Sequence, residues 1–250
     1  MGYVIAIAGK GGTGKTTIAA LILKVIKDKK LGSLLAVDAD PNSNLGEALG
    51  QEAKETVGSI INEVAAHPDQ IPAGMSKDRF IEYRLQTAIR EGDGFDLLTM
   101  GRPEGPGCYC YVNNVLRNIV AKLIKEYDYV VIDNEAGLEH FSRRTTGCAD
   151  TLVVISDYTK VGLRSAKRIK ELVDELGVKV KNKLLIINRS SVFIDRQAVK
   201  NTGLNYIGEI PEDKSINKIN QNGGSLLSLT DKATSLKMLR KIGDVIWQKN

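Results

Sequence analysis

Apolar residues come in short, nearly unbroken runs at positions 3–8, 33–37, 95–99, 129–132, 151–156, 183–188 and 205–210. The runs are rich in Val, Ile and Leu, as expected of strands buried on both faces. Between them the period is helical, which predicts helices over 15–30, 56–66, 77–90, 112–126, 163–176 and 234–249. Strands alternating with helices in this way predict an α/β fold, a mostly parallel central sheet with helices on both faces. Segment 51–94 shows helical patterns without an obvious strand and reads as a lid or an insertion. With no internal repeat, low-complexity tract or linker, the chain is expected to form a single domain over 1–250.

The first run leads directly into Gly9-Lys10-Gly11-Gly12-Thr13-Gly14-Lys15-Thr16, where a helix is predicted to begin. Glycines let backbone N–H groups turn inward around an anion, and the helix N-terminus adds the positive end of its dipole. This strand–loop–helix setting is that of a P-loop NTPase. It makes Gly11, Gly12, Thr13, Gly14, Lys15, Thr16 and Thr17 candidate nucleotide-binding residues. Lys15 would place a full charge on the β- and γ-phosphates, and the Thr16 hydroxyl is placed for Mg²⁺.

Two other runs end in carboxylates. One leads into Asp38-Ala39-Asp40-Pro41-Asn42 and another into Asp133-Asn134-Glu135-Ala136-Gly137. A carboxylate just past a strand of an open α/β sheet points into the ligand crevice. Asp38 and Asp40 also suit helix capping, and the two roles can coexist. The hydrophobic run, Asp133 and the nearby Gly137 fit a Walker B and switch II segment, with Asp133 holding Mg²⁺ through water.

Composition narrows the alternatives. With 42% hydrophobic and 26% charged residues the chain is of ordinary globular type. The net charge of +5 is dispersed in small groups such as 27–30 and 179–183, and only 5% of residues are aromatic, so no nucleic-acid partner is expected. No apolar run is long enough to span a bilayer and the first residues lack a signal-peptide pattern, so a cytoplasmic location is expected. The stripe Leu236, Leu239, Ile242, Val245 and Ile246 reads as packing on the sheet in preference to a membrane surface, so no stable membrane association is expected.

Three cysteines do not make a disulfide framework. Cys108 and Cys110 follow a Gly/Pro-rich loop and precede a predicted helix, too close in sequence for a good mutual disulfide. A helix N-terminus lowers thiol pKa and favours metal-binding thiolate. Two thiolates alone make a poor site, whereas a two-fold axis through the loop would assemble four. Reduced loop cysteines without a metal are the other reading. Cys148 reads as a near-core residue, and His67 as a loop residue. His140 reads as support for switch II or as a metal ligand, and Arg143 and Arg144 as phosphate or switch-helix anchors.

Lys10, the second lysine of the loop, resembles that of the deviant P-loop family of nitrogenase iron protein, the arsenite pump ATPase and the Min and Par ATPases. The resemblance implies a homodimer with ATP sandwiched between subunits and Lys10 reaching across to the other subunit's nucleotide. It also implies catalytic roles for Lys10, Lys15 and Asp40, with Asp40 orienting the attacking water and Asp38 supporting the Mg²⁺ shell. Asn188-Arg189 and the Pro211–Asp213 loop would hold adenine, favouring ATP and ADP over guanine nucleotides. The stretches Gly105-Pro106-Gly107-Cys108-Tyr109-Cys110 and Asp133-Asn134-Glu135-Ala136-Gly137-Leu138-Glu139-His140 look like the CooC-type nickel-insertion ATPases that mature carbon monoxide dehydrogenase. That narrower resemblance implies Ni²⁺, with Zn²⁺ possible in the same site, bound by Cys108 and Cys110 across the dimer. The implied client is carbon monoxide dehydrogenase or the related acetyl-CoA synthase. An iron–sulfur cluster carrier or electron donor like nitrogenase iron protein is the alternative, and a partition or positioning ATPase the third.

Overall fold

The computed structural model describes residues 2–102, 108–135, 148–190 and 194–248, without the side chains of 108–113, 116, 117 and 148. The Gly/Pro loop at 103–107, Gly137, His140, Arg143 and Arg144 therefore lie outside the described residues, as do the side chains of Cys108, Cys110 and Cys148.

Every residue of β1 (Tyr3–Gly9) is buried, and its alternation defines the two layers of the core. Tyr3, Ile5 and Ile7 face one apolar cluster, built with α1 (Lys15–Asp28), α2 (Asn44–Leu49), α9 (Thr234–Ile242) and α10 (Asp244–Trp247). Val4, Ala6 and Ala8 face the other, built with α3 (Val57–Ala66), α4 (Lys77–Ala88), α5 (Cys108–Leu123), α6 (Lys160–Glu175) and α7 (Arg196–Lys200). The remaining strands are β2 (Leu34–Ala39), β3 (Arg90–Glu91), β4 (Asp96–Thr99), β5 (Tyr129–Asn134), β6 (Cys148–Ser156), β7 (Lys179–Ser190) and β8 (Asn205–Pro211). They form one eight-stranded sheet in the order β3-β4-β2-β5-β1-β6-β7-β8. All its pairings are parallel except the β3–β4 edge, so the α/β layered fold predicted from the apolar runs is the fold observed. The carboxyl ends of β2, β5 and β1 lie side by side, and the chain reverses its winding at β1, where ligands of such sheets bind.

The departures from the predicted pattern have local causes. The helix predicted over 77–90 stops at Ala88, and Arg90 and Glu91 pair with Leu97 and Asp96 as an exposed two-residue edge strand. Segment 51–94 packs Ile60, Ile61, Ile81 and Leu85 into the core, so its helices belong to one layer of the sandwich. Three helices escaped the period reading: α2, α7 and α8 (Lys214–Gln221), with 6, 5 and 8 residues, are too short to repeat an apolar stripe.

The helix predicted over 234–249 is broken at Gly243. A Cβ there would lie 2.2 Å from the Trp247 ring and 2.5 Å from the Leu239 carbonyl, so the indole takes the space a side chain would need. Leu236, Leu239 and Ile246 are fully buried, while Val245 turns outward. Trp247 is 4% exposed, its carbonyl accepts a hydrogen bond from the Tyr129 hydroxyl at 3.1 Å, and Lys29 stands 5.3 Å from the ring centroid. No helix among the described residues is long and apolar enough to cross a membrane.

Trp247→Ala is expected to lower stability by about 3–5 kcal/mol through the cavity it leaves. Urea unfolding followed by circular dichroism checks this, and a loss under about 1 kcal/mol, within the range of surface substitutions, would mean that α10 does not anchor the C-terminus.

Candidate nucleotide site

β1 delivers the glycine loop to the carboxyl edge of the sheet. The Thr13 hydroxyl donates to the Lys10 carbonyl at 2.8 Å and folds the loop on itself, leaving Lys10, Gly11 and Gly12 exposed. Gly14 opens α1 with φ 89°, in the left-handed region that glycine tolerates, and no side chain caps the helix. The first turn of α1 contains no acidic residue, so its orphan N–H groups and dipole are free for an anion. Lys15 sits at the same end, only 8% exposed, close enough to act electrostatically on Asp133.

Strand register brings the carboxylates to the loop. Asp38 lies opposite Asp133 in the β2–β5 pairing, and Ile7 lies opposite Asp133 in the β1–β5 pairing. Asp38 is fully buried; its oxygens accept N–H bonds from Leu45 at 2.8 Å and Asp40 at 3.1 Å. It therefore caps α2, whose own N-cap Ser43 offers no side-chain bond. The capping role open to Asp38 in the sequence is thus in use. Asp40 accepts bonds from the Asn42 backbone N–H at 2.8 Å and side-chain amide at 3.0 Å, which folds the turn ahead of α2.

Burial pushes the Asp38 carboxyl up to about 7, helped by the charges of Asp133 and Asp40 and opposed by the Leu45 and Asp40 N–H groups. Burial likewise pushes Asp133 up to about 6, against the Thr16 hydrogen bond and the Lys15 charge. Asp133 Oδ1 is buried with no hydrogen-bond partner. An orphaned carboxylate oxygen beside the Thr16 hydroxyl and a second carboxylate is a hard-oxygen donor set that suits Mg²⁺. Among the described residues no three His, Cys, Asp or Glu side chains form a protein-only metal cage. Mg²⁺ does not need one, since it takes one or two carboxylates and completes its shell with waters and phosphates.

At the other end of the loop, β7 supplies two clamps. The buried Asn188 amide donates to the Thr13 carbonyl at 2.8 Å, and Arg189, held at φ 56°, donates to the Gly12 carbonyl at 3.3 Å. A Cβ on Gly14 would lie 2.4 Å from the Asn188 amide, so this approach also requires glycine. Thr17, Asn188, Arg189, Pro211 and Asp213 line one cleft, closed by Ile216, Asn217 and Asn220 of α8. The structure thus gathers all the residues proposed for the base. It gives Asp213 a further job, because its carboxylate accepts from Ser215 N–H at 2.8 Å and from Ser235 N–H and hydroxyl at 2.9 Å. Burial raises that carboxyl, and the Ser235 and Ser215 donors outweigh it, leaving it below the ordinary value. The α8 side chains were missed because the helix was. The capping sequence Asp213-Lys214-Ser215, followed by Ile216 and Ile219, was the signal that could have found it.

A family model described as the CobQ/CobB/MinD/ParA nucleotide binding domain matches residues 4–226. An uncharacterized ATP-binding protein of Methanocaldococcus jannaschii is 46% identical, covering 98% of this chain and 99% of its own length. The carbon monoxide dehydrogenase accessory protein CooC of Rhodospirillum rubrum is 29% identical, covering 96% of this chain and 97% of its own. The crystal structure of a ParA family ATPase from Chlorobium tepidum superposes with a TM-score of 0.76 at 21% identity, covering 100% of this chain and 99% of that one. That likeness bears on the fold alone.

Folding raises both buried carboxyls, so the folded protein keeps protons that the unfolded chain releases. Their contribution to stability is complete below the ordinary carboxylate range and is lost as pH rises through about 6 and about 7. Thermal unfolding in EDTA is therefore expected to show the melting temperature falling across that window. Asp133→Asn should flatten the fall and raise the melting temperature at pH 8; an unchanged profile would remove Asp133 from the account.

Proposed function

The chain belongs to the CobQ/CobB/MinD/ParA nucleotide-binding family and is a P-loop ATPase, and from that premise we propose that it is a metallochaperone. In this reading its whole length forms one ATPase domain that delivers nickel to carbon monoxide dehydrogenase, or to the related acetyl-CoA synthase, as a nucleotide-sandwich homodimer. The observation that carries the reading is Cys108-Tyr109-Cys110 at the start of α5, in a chain similar over 96% of its length to a carbon monoxide dehydrogenase accessory protein.

ATP phosphates would sit on the first-turn N–H groups of α1 and on Lys15, with adenine in the cleft between β7 and α8. Thr16 and Asp133 would hold Mg²⁺, with Asp38 behind them. Bound there, Mg²⁺ neutralises charge on the β- and γ-phosphate oxygens. Asp40 would orient the attacking water, and Lys10, exposed at the rim, is free to reach the nucleotide of a second subunit. Catalysis then rests on positioning and charge, which phosphoryl transfer chiefly requires. Two copies of Cys108 and Cys110 would hold the nickel cargo across the two-fold axis, a thiolate set that also accepts Zn²⁺.

Lys15→Ala is expected to lower ATP turnover by about a hundredfold or more, read by steady-state phosphate release. Normal turnover would remove Lys15 from catalysis. Anaerobic equilibrium binding of Ni²⁺ to reduced protein should give about one nickel per two chains, lost in a Cys108→Ser/Cys110→Ser double variant. Equal binding by that variant would overturn the nickel reading. So would a brown, EPR-active iron form dependent on the same cysteines, which would make the protein a cluster carrier.

A further inference from the structure

The described residues contain three buried side-chain polar atoms without a hydrogen-bond partner, and all three lie at the carboxyl ends of strands. They are Thr99 Oγ1 on β4 and Asp133 Oδ1 and Asn134 Oδ1 on β5, with β2 between the two strands. An unpaired buried polar atom is costly and calls for a cause; Asn134, with Ile132 two residues before it in the opposite apolar cluster, stands on the other face of the sheet and apart from the other two. Mg²⁺ accounts for Asp133; nothing so far accounts for Thr99, which is 3% exposed.

Register supplies the missing connection. Thr99 lies opposite Asp38 in the β4–β2 pairing, and Asp38 lies opposite Asp133 in the β2–β5 pairing. The three side chains form a row across three strands. Leu97, Ala36 and Val131, two residues before each, lie in the apolar cluster of α1, so strand alternation puts the row on the α1 face. Each Asp38 oxygen accepts one N–H, from Asp40 or from Leu45, and a carboxylate oxygen has room for a second donor. Rotation about its Cα–Cβ bond re-aims the Thr99 hydroxyl without backbone movement, and with parallel strands about 4.8 Å apart its register partner Asp38 is the adjacent side chain on that face. Packing alone does not require a hydroxyl here, because Val would fill nearly the same volume.

We propose that Thr99 is a positioning residue of the nucleotide site, its hydroxyl donating to the Asp38 carboxylate when the site is loaded. Asp38 holds the Asp40 N–H and the first turn of α2, so a third donor from β4 fixes the carboxylate that sets the position of Asp40. This inference rests on the Mg²⁺–nucleotide reading of the site.

The test compares Thr99→Val, Thr99→Ser and Lys15→Ala in two assays, thermal unfolding in EDTA and the Mg²⁺ dependence of ATP turnover. In EDTA, Thr99→Val should unfold at the parent temperature or above, because it removes an unpaired hydroxyl. In turnover, Thr99→Val should need about tenfold more Mg²⁺ for half-maximal rate, and Thr99→Ser should stay within about twofold of the parent. Parent-like Mg²⁺ dependence in Thr99→Val would overturn the proposal. So would losses of apo stability and turnover together that Thr99→Ser does not repair, which would assign Thr99 to packing. Lys15→Ala separates the two levels. If it keeps its turnover, the reading of the site fails; if it loses turnover while Thr99→Val matches the parent, only the role of Thr99 fails.

Discussion

The first turn of α1 begins at Gly14 with no side chain folded back to cap it, and the helix behind it cannot give way. Ile18 to Ile26 line a helix buried almost all round, with Ile18, Leu21, Ile22 and Ile26 at 0% exposure, so shifting α1 would open the core on one side of the sheet. A helix end left polar, uncapped and immobile is a fixed concentration of positive potential. The surrounding contacts hold the loop to it: Thr13 onto Lys10, Asn188 onto Thr13 and Arg189 onto Gly12. Phosphate binding therefore needs little reorganisation, which is what electrostatic stabilisation of a transferring phosphoryl group requires.

On the proposed reading the site takes an anion and a cation together, and is unbalanced without them. Asp38 and Asp133 are opposite one another in register and both buried, and their raised pKa values express that imbalance. Asp38 does not stand alone, because its oxygens tie down α2. At its far end α2 meets Ser225, whose hydroxyl donates to the Leu49 carbonyl at 2.7 Å and whose Cβ would crowd any side chain on Gly50. Leu226, next in the chain, packs in the same apolar cluster as α1 and Leu45. The carboxylate end of the site is thus joined by direct contacts to the wall carrying Asn220 and Leu226, which also lines a pocket with Thr16, Thr17, Asn44 and Glu47.

The parts of this architecture legible in the sequence are those whose physics is local. Buried parallel strands read as apolar runs, so β1, β2, β4, β5 and the cores of β6 and β7 were visible, while β8, with only Ile210 buried, showed more weakly. The glycine loop, Lys15, Asp38 and Asp133 were visible because strand ends and loop chemistry are written in consecutive residues. The illegible parts depend on how particular side chains and strand edges meet, which no apolar period records. Gly243 breaks a helix because Trp247 folds over it, and β3 is two exposed residues selected by β4. The loop clamp at Arg189 and the Asp213 bonds to Ser235 arise from tertiary packing. The row Thr99–Asp38–Asp133 comes from register, which single strands do not specify.

Asn188 shows how a task legible in the sequence can share a residue with one that only the structure reveals. Its amide has two N–H groups and a carbonyl oxygen, and the Thr13 carbonyl takes one N–H. The other N–H and the oxygen remain for the edge of a base in the cleft that Asn188 shares with Pro211 and Asn217. Support of the phosphate loop and reading of the base would then be two hydrogen-bonding edges of one planar group, which cannot rotate for one without disturbing the other. Arg189, in a left-handed conformation uncommon for a non-glycine residue, holds the Gly12 carbonyl, next in the loop to the one Asn188 holds. Base and phosphate recognition would in this way be mechanically joined at the end of β7, as the proposed metal site and α2 would be joined through Asp38 at the end of β2.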